Sequence, residues 1–227
     1  MNKHAKGFKV EERQKGDQEA IIELKQFATA RINNFTLELI GGSSLLLQGY
    51  PILVNAANEN LVLGSGIAGE IRQRAGEQVQ IECQNFLREN KISKIPSGFM
   101  CWTGAYNLTN FTYIFHTVGP TVQNNQVTDQ NKLDLFNSIQ VCIYQAIQLG
   151  LYSIVIPGIS CGIFGYPVKE ATEGHYSALF YMANNYPEVQ FRVCFCLYKK
   201  PELREFYNFL REKFTSFDSV QFYEDNI

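Results

Sequence analysis

The feature that most limits what this chain can fold into is the stretch from residue 54 to residue 71, VNAANENLVLGSGIAGEI. The apolar residues 51–54 that lead into it predict a buried strand, and polar amides follow at Asn55 and Asn58. A glycine-rich segment comes next, and a helical pattern begins at Glu70. This order presents unpaired backbone N–H groups and the positive end of a helix dipole. The stretch therefore predicts a site for a ligand that carries phosphate.

Residues 64–69 fit the G-x-G-x-x-G pattern of dinucleotide-binding folds, which makes a dinucleotide oxidoreductase an alternative. That pattern needs its first glycine directly after the strand and an acidic residue at the end of a second strand about 20 residues later. Here residues 55–63 intervene, and residues 79–88 have a helical pattern. No Gly-Lys-Ser/Thr sequence follows, which excludes a P-loop. The spacing thus disfavours the oxidoreductase.

Composition limits the remaining classes. With 227 residues and 45% hydrophobic content, the chain is long enough for one well-buried core. Its formal net charge of −2 does not favour nucleic acid or a membrane surface as partner. No apolar stretch approaches the ~20 residues of a membrane span, and the polar N-terminus does not resemble a signal peptide. We expect a monomer inside the cell, cytoplasmic or nuclear.

The cysteines indicate reduced thiols, because none of the six has C-x-x-C spacing and four lie in apolar runs. We therefore expect no metal site and no disulfide. Cys161 differs because it lies in a glycine-rich loop, but no base is near it in sequence, and we expect no chemistry from it.

Helix and strand patterns alternate, which predicts an α/β protein with a three-layer α/β/α sandwich. Helices are predicted over residues 10–32, 79–89, 133–149, 168–185 and 201–214, and strands over residues 35–40, 98–102, 113–118, 153–157 and 189–197. In the third of these helices, Leu133, Ile139 and Ile143 are expected to face inward. We divide the chain into a helical extension (1–33), one domain (34–214) and a tail (215–227) without assigned structure.

Four stretches together resemble the macro domain family. Its sequence has Asn-Ala-Ala-Asn, a spacer and a Gly-rich loop that opens a helix, as in residues 54–71. Residues 103–108 (TGAYNL), 114–120 (IFHTVGP) and 156–167 (IPGISCGIFGYP) follow in the family's order. The resemblance implies the macrodomain fold with a mixed central sheet, and it implies ADP-ribose or a mono-ADP-ribosylated protein as partner, with no cofactor.

Two glycine-rich loops leave strands at the carboxyl edge of the expected sheet, so their amides can grip the two phosphates of a diphosphate. By resemblance, Asn58 contacts the distal ribose and is the candidate catalytic residue, while Asn55 shapes the strand end. Phe164 resembles the aromatic residue that covers the distal ribose and diphosphate, and Tyr198 matches a position near the adenosine. The other expected ligand-binding residues are Gly64, Ser65, Gly66, Ile67, Ala68, Ser160, Cys161, Gly162, Ile163 and Gly165.

The chain departs from the family at three positions. Gly42 stands where the family commonly has an Asp that accepts a hydrogen bond from the adenine amino group, an interaction of roughly 1.5 to 3 kcal/mol. Ser65 replaces a usual glycine, and Ala68 replaces the loop aspartate of one branch of mono-ADP-ribosyl hydrolases. These departures leave three interpretations open: a reader of ADP-ribosylation, a mono-ADP-ribosyl hydrolase, or a module that has lost the nucleotide and binds proteins.

For hydrolysis, the hypothesis is that Asn58 and the loops hold the distal ribose strained while a phosphate oxygen of the ligand orients the water. No carboxylate of either loop is an evident base. Glu59 and Glu70 are expected to be solvated, with Glu70 at the start of a helix. His116 is expected to be a core histidine with satisfied hydrogen bonds.

Overall fold

The computed structural model describes residue 20, residues 23–213 and residues 220–223. Within these residues, the strands are β1 (Lys25–Ile32), β2 (Phe35–Gly41), β3 (Ile52–Ala57), β4 (Met100–Gly104), β5 (Tyr113–Val118), β6 (Ser153–Ile156), β7 (Phe191–Leu197) and β8 (Val220–Phe222). The helices are α1 (Gly66–Ala75), α2 (Glu77–Glu89), α3 (Asp129–Gln148), α4 (Val168–Asn185) and α5 (Lys200–Lys213), with a short 3-10 helix at Ser44–Leu46.

The strands form one mixed sheet in the order β4-β5-β3-β6-β7-β2-β1-β8. The five strands from β5 to β2 run parallel to one another. The outer pairs β4–β5, β1–β2 and β1–β8 are antiparallel. The predicted α/β sandwich with a mixed sheet is confirmed, and the carboxyl ends of five parallel strands meet at one edge.

Helices cover both faces of the sheet. On one face, α1 and α2 pack on a buried cluster that includes Leu53 and Ile114. On the other face, α3, α4 and α5 pack on a cluster that includes Ile52 and Val54. Successive side chains of β3 thus enter opposite cores, which explains why this strand reads as a continuous apolar run rather than an alternating one.

The helix predicted over residues 10–32 is wrong at its described end, because Lys25–Ile32 is the strand β1. A bulge shifts the register between Gln26 and Ala28, so Phe27 and Ala28 are both buried. Two adjacent buried residues followed by Ile32 imitate a helical spacing, although pairing with β2 makes the segment extended. Most of residues 10–22 lie outside the described part of the chain.

The tail, to which the sequence assigned no structure, contributes the strand β8 beside β1. The ring of Phe222 lies 5.1 Å from that of Tyr207 in α5, so this strand also adds to the core. The domain limits at residues 33 and 214 stay a prediction.

Helix α3 begins four residues before its predicted start because Thr128 caps it. The Thr128 side chain accepts a hydrogen bond from the backbone of Asn131, whose own side chain accepts from the backbone of Thr128. Ile139 and Ile143 are buried as predicted, but Leu133 is 51% exposed, so its predicted inward position is wrong. No helix among the described residues is long and apolar enough to span a membrane.

The core predicts a contrast between two leucines. Leu37 lies in the middle of β2 with no exposed surface, whereas Leu133 is half exposed. We expect Leu37→Ala to lower the free energy of unfolding by about 2 to 5 kcal/mol, because it leaves a cavity between the sheet and the helices that cover it. Leu133→Ala should change it by less than about 1 kcal/mol. Denaturant unfolding of both variants tests this, and equal losses would contradict the burial pattern.

Candidate functional site

The candidate site lies at the edge where the parallel strands end. Residues 58–65, which we call loop 1, follow β3, and residues 157–167, loop 2, follow β6. The strands β3 and β6 are direct neighbours in parallel pairing. Loops that leave neighbouring parallel strands emerge at the same edge of the sheet, so the two segments lie side by side there.

Asn58 braces loop 1. Its Nδ2 donates to the carbonyl of Val62 at 2.7 Å, and its Oδ1 accepts from the amide of Val62 at 3.1 Å. An asparagine amide has two N–H donors and two acceptor sites, so one of each stays available. The half-buried Asn58 therefore shapes the loop and still has the groups needed to contact a diol.

A buried glutamine of α2, Gln80, holds loop 1 from below. Its Oε1 accepts from the amide of Leu63 at 2.7 Å, and its Nε2 donates to the carbonyl of Leu61 at 2.9 Å. Leu61 and Leu63 are buried in the core, while Val62 between them is half exposed. The loop is thus fixed by apolar anchors and by a buried amide, which leaves little freedom to its backbone.

Helix α1 begins at Gly66, four residues before the helical pattern at Glu70, so part of the glycine segment forms the first helical turn. Gly69 donates to the Ser65 carbonyl at 3.2 Å, which leaves the amides of Gly66, Ile67 and Ala68 without intrahelical partners.

Gly64 and Ser65 are exposed at the entrance to this turn, and the Ser65 side chain does not cap the helix. A Cβ at Gly64 would meet nothing within 4 Å. The amides at the end of loop 1 and the start of α1 therefore stay free, and Ser65 makes no side-chain hydrogen bond that caps them.

The glycine-rich part of loop 2, residues 162–165, forms a turn. Gly165 has a φ of +67° and donates to the carbonyl of Gly162 at 3.0 Å. Phe164 is half-buried, whereas Ile163 is 89% exposed. The Phe164 carbonyl accepts from the amide of Val122 at 2.8 Å, which ties loop 2 to the segment after β5.

The start of loop 2 rests on His175 of α4. Its Nε2 accepts from the amide of Ile159 at 3.0 Å, and its Nδ1–H donates to the carbonyl of Ala171 at 2.7 Å. The imidazole is fully buried, and burial lowers its pKa to about 4. His175 is therefore neutral at pH 7 and positions the loop.

Ser160 is a strained, buried residue of loop 2. Its φ is +64°, and its Oγ is buried without a hydrogen-bond partner among the described residues. A Cβ at Gly119 would lie 2.3 Å from this Oγ, so only glycine fits there. The Ser160 side chain thus packs against the end of β5.

Asn55 lies within β3 rather than beyond it, and it joins a buried hydrogen-bond chain. Its Nδ2 lies 3.0 Å from His116 Nδ1, and His116 Nε2 lies 3.0 Å from Thr103 Oγ1. Since the amide nitrogen can only donate, His116 accepts at Nδ1 and donates from Nε2. Burial lowers the pKa of His116 to about 3. The predicted core histidine is confirmed, and Asn55 is its buried hydrogen-bond partner within β3.

The remaining candidate groups offer no evident base. Burial and nearby Glu202 raise the pKa of the Cys161 thiol well above its usual value, so the thiol stays protonated at neutral pH. Glu59 is exposed and forms an ion pair with Lys94 at 3.1 Å. Glu70 lies in the second turn of α1, 4.0 Å from Arg74, so its predicted place at the helix start is wrong.

The opposite end of the edge is formed by the ends of β7 and β2. Tyr198 follows β7 directly and is half-buried. Gly42 follows β2 with a φ of +128°, and a Cβ there would lie 3.0 to 3.1 Å from atoms of Glu23 and Leu24. The position at which the family commonly has an Asp is therefore crowded by the segment before β1.

Comparison with known proteins agrees with this geometry. The sequence model of the Macro domain matches residues 54–174. The chain belongs to the macro domain family. An Oceanobacillus iheyensis macrodomain with ADP superposes on it with a TM-score of 0.77 at 26% identity, covering 86% of this chain and 100% of that one. A Trypanosoma brucei macrodomain in complex with ADP-ribose has a TM-score of 0.66 at 25% identity, covering 77% and 68%.

Relatives with similar sequences are also macro domain proteins. A macro domain-containing protein of Listeria monocytogenes is 38% identical over 130 residues, which cover 56% of this chain and 69% of the relative. Human ADP-ribose glycohydrolase MACROD2 is 28% identical over 190 residues, 83% of this chain but 42% of MACROD2.

The sequence did not identify two residues that position the loops. Gln80 stands on the buried face of α2 beside Val79 and Cys83, and His175 stands on the buried face of α4. A polar side chain inside an apolar helical stripe is the signal that marks such residues, because burial without hydrogen bonds is costly. Their partners, however, are backbone groups of distant loops.

Gln80 gives a prediction about loop 1. We expect Gln80→Met to lower the free energy of unfolding by about 2 to 4 kcal/mol, because it leaves the Leu63 amide and the Leu61 carbonyl unpaired. Gln84→Met is the control: Gln84 is exposed and makes one 3.3 Å hydrogen bond to Asn60, so we expect a change below about 0.5 kcal/mol. Denaturant unfolding and hydrogen exchange at Leu63 provide the measurement. Unchanged exchange at Leu63 in Gln80→Met would contradict the bracing role.

The two buried histidines predict a pH dependence. His116 and His175 stay neutral in the folded state, while in the unfolded chain they protonate near pH 6.5. The unfolded state therefore binds more protons below pH 6.5, and the free energy of unfolding should fall from pH 7 towards pH 4 by up to about 1.4 kcal/mol per pH unit for each histidine. NMR titration should find neither imidazole titrating between pH 8 and pH 5, and a midpoint near 6.5 would refute the prediction.

Proposed function

We propose that this chain binds ADP-ribose, free or attached to proteins, with its diphosphate between loop 1 and loop 2. The observation that carries the proposal is the convergence, at the ends of the neighbouring strands β3 and β6, of the free amides of α1 and a glycine-rich loop. Two sets of backbone donors suit a diphosphate better than a single phosphate. The macrodomain neighbours that hold ADP and ADP-ribose give independent support.

In this proposal, Asn58 contacts the distal ribose with the donor and acceptor that Val62 leaves unused. Phe164, half-buried in loop 2, covers the distal ribose and diphosphate. The adenosine half extends in the other direction, towards Tyr198 at the end of β7. The other residues of the two loops contribute mainly backbone contacts.

Removal of mono-ADP-ribose by hydrolysis is the finer proposal, supported by the likeness to human MACROD2. Among the described residues of the two loops and the start of α1, no side chain is an evident base for it, since Ala68 carries no carboxylate, Glu59 pairs with Lys94, and the Cys161 thiol stays protonated. The reaction would instead use a phosphate oxygen of the ligand to orient the attacking water, with Asn58 holding the ribose. Slow turnover is the expected consequence, because no side chain removes the proton of the water.

The second candidate is a macro domain that has lost the nucleotide and binds other proteins. Gly42 favours it, because the crowding by Glu23 and Leu24 shuts a side chain out of the position next to the end of β2. The intact bracing of both loops favours the nucleotide site instead.

Isothermal calorimetry with ADP-ribose, and with AMP and NAD as controls, tests the binding proposal. We expect micromolar or tighter binding of ADP-ribose alone. Asn58→Ala should weaken it about tenfold or more through the lost ribose contacts and the lost brace. Asn60→Ala, at an exposed asparagine of the same loop, should leave the affinity within about twofold. Absence of heat at high ligand concentration would overturn the proposal in favour of the protein-binding module.

Release of ADP-ribose from a mono-ADP-ribosylated protein tests hydrolysis separately. If the chain is an enzyme, the wild type should release ADP-ribose faster than Asn58→Ala does, with each protein at a saturating concentration. Binding without release would identify a reader.

A further inference from the structure

The sheet order shows what lies beyond the diphosphate. From β6, the next parallel strands are β7 and then β2. Neighbouring strands lie about 4.8 Å apart, so the end of β2 lies about 10 Å from loop 2. A nucleotide whose distal ribose lies at loop 1 therefore extends its base over the ends of β7 and β2. Those ends are not open, because Ala20, Glu23 and Leu24, the described residues before β1, lie against them.

Two contacts hold these residues in place. Ala20 forms an antiparallel bridge with Lys199, directly after Tyr198. At the other end, the Glu23 carbonyl and the Leu24 Cα lie 3.1 Å from the point where a Cβ of Gly42 would be. The φ of +128° at Gly42 allows glycine and strains any other residue. Gly42 is therefore a close contact of two backbones, and an acidic side chain there would push the segment away.

Glu23 is the acidic residue whose backbone this packing brings to the end of β2. It is exposed, and among the described residues no hydrogen bond or ion pair engages its side chain. We propose that Glu23 and Leu24 wall the base end of the nucleotide site, and that the Glu23 carboxylate accepts a hydrogen bond from the exocyclic amino group of adenine. The inference rests on the proposed ADP-ribose site and adds its base specificity.

The chemistry predicts which bases are favoured. A carboxylate accepts from the amino group of adenine, whereas the corresponding carbonyl oxygen of hypoxanthine can only accept. Glutamine in place of glutamate keeps one acceptor, loses the charge and gains a donor for that carbonyl. Charge-assisted hydrogen bonds are about twice as strong as neutral ones, so the substitution weakens adenine binding without abolishing it.

The test compares ADP-ribose with its hypoxanthine analogue by calorimetry on the full chain. We expect the wild type to bind ADP-ribose about tenfold more tightly than the analogue. Glu23→Gln should weaken ADP-ribose about five- to tenfold and leave the analogue unchanged or tighter, so that the preference disappears. Glu188→Gln is the matched control, an exposed glutamate before β7 at the opposite edge of the sheet. Thermal melting checks that the variants are folded.

Gly42→Asp provides the second measurement. Because its side chain has no room, we expect a lower melting temperature and weaker ADP-ribose binding. If Gly42→Asp instead binds ADP-ribose more tightly at an unchanged melting temperature, the inference is overturned. The wild type would then lack an acceptor for the adenine amino group, and the introduced aspartate would supply it. If the wild type and Glu23→Gln bind ADP-ribose with the same affinity, this inference is overturned, but the proposed function is not. If the wild type does not bind ADP-ribose, both the inference and the proposed function are overturned.

Discussion

The parallel pairing of β3 with β6, of β6 with β7 and of β7 with β2 is the constraint on which the site depends. Parallel strands end at the same edge, so the segments that follow them must share one side of the molecule. Pairing alone does not fix the shape of those segments. The buried side chains of Gln80 and His175 do this by bonding the backbone of loop 1 and loop 2, which leaves the amides of α1 free to meet a ligand.

Burial also decides what the site can do chemically. Both described histidines lose the ability to carry charge at neutral pH, because the desolvated imidazolium is unfavourable. The same cause keeps the Cys161 thiol protonated. The two histidines thus act as neutral hydrogen-bonding groups inside the protein. In the proposed function, backbone amides therefore bind the ligand, and hydrolysis would draw on the ligand's own phosphate.

In the inference drawn above, Glu23 and Leu24 connect the fold with ligand specificity. Because β1 is antiparallel to β2, its first residues lie beside the end of β2. Glu23 and Leu24 consequently meet Gly42 at the edge where the site is. The sequence shows only that residue 42 lacks the family's aspartate, whereas the packing places the backbone of an acidic residue from another part of the chain beside it.

The sequence alone determined the fold class, the family and the order of the main elements, because β3, β5 and α4 have strong local patterns and the Asn58 and glycine stretches keep the family's spacing. It misassigned β1, since the bulge at Gln26 and Ala28 buries adjacent residues, and it left β8 unassigned. Only the tertiary structure showed that Gln80 and His175 hold the two loops and that the Glu23 backbone packs on Gly42. Their partners lie far away along the chain, and local periodicity carries no information about such contacts.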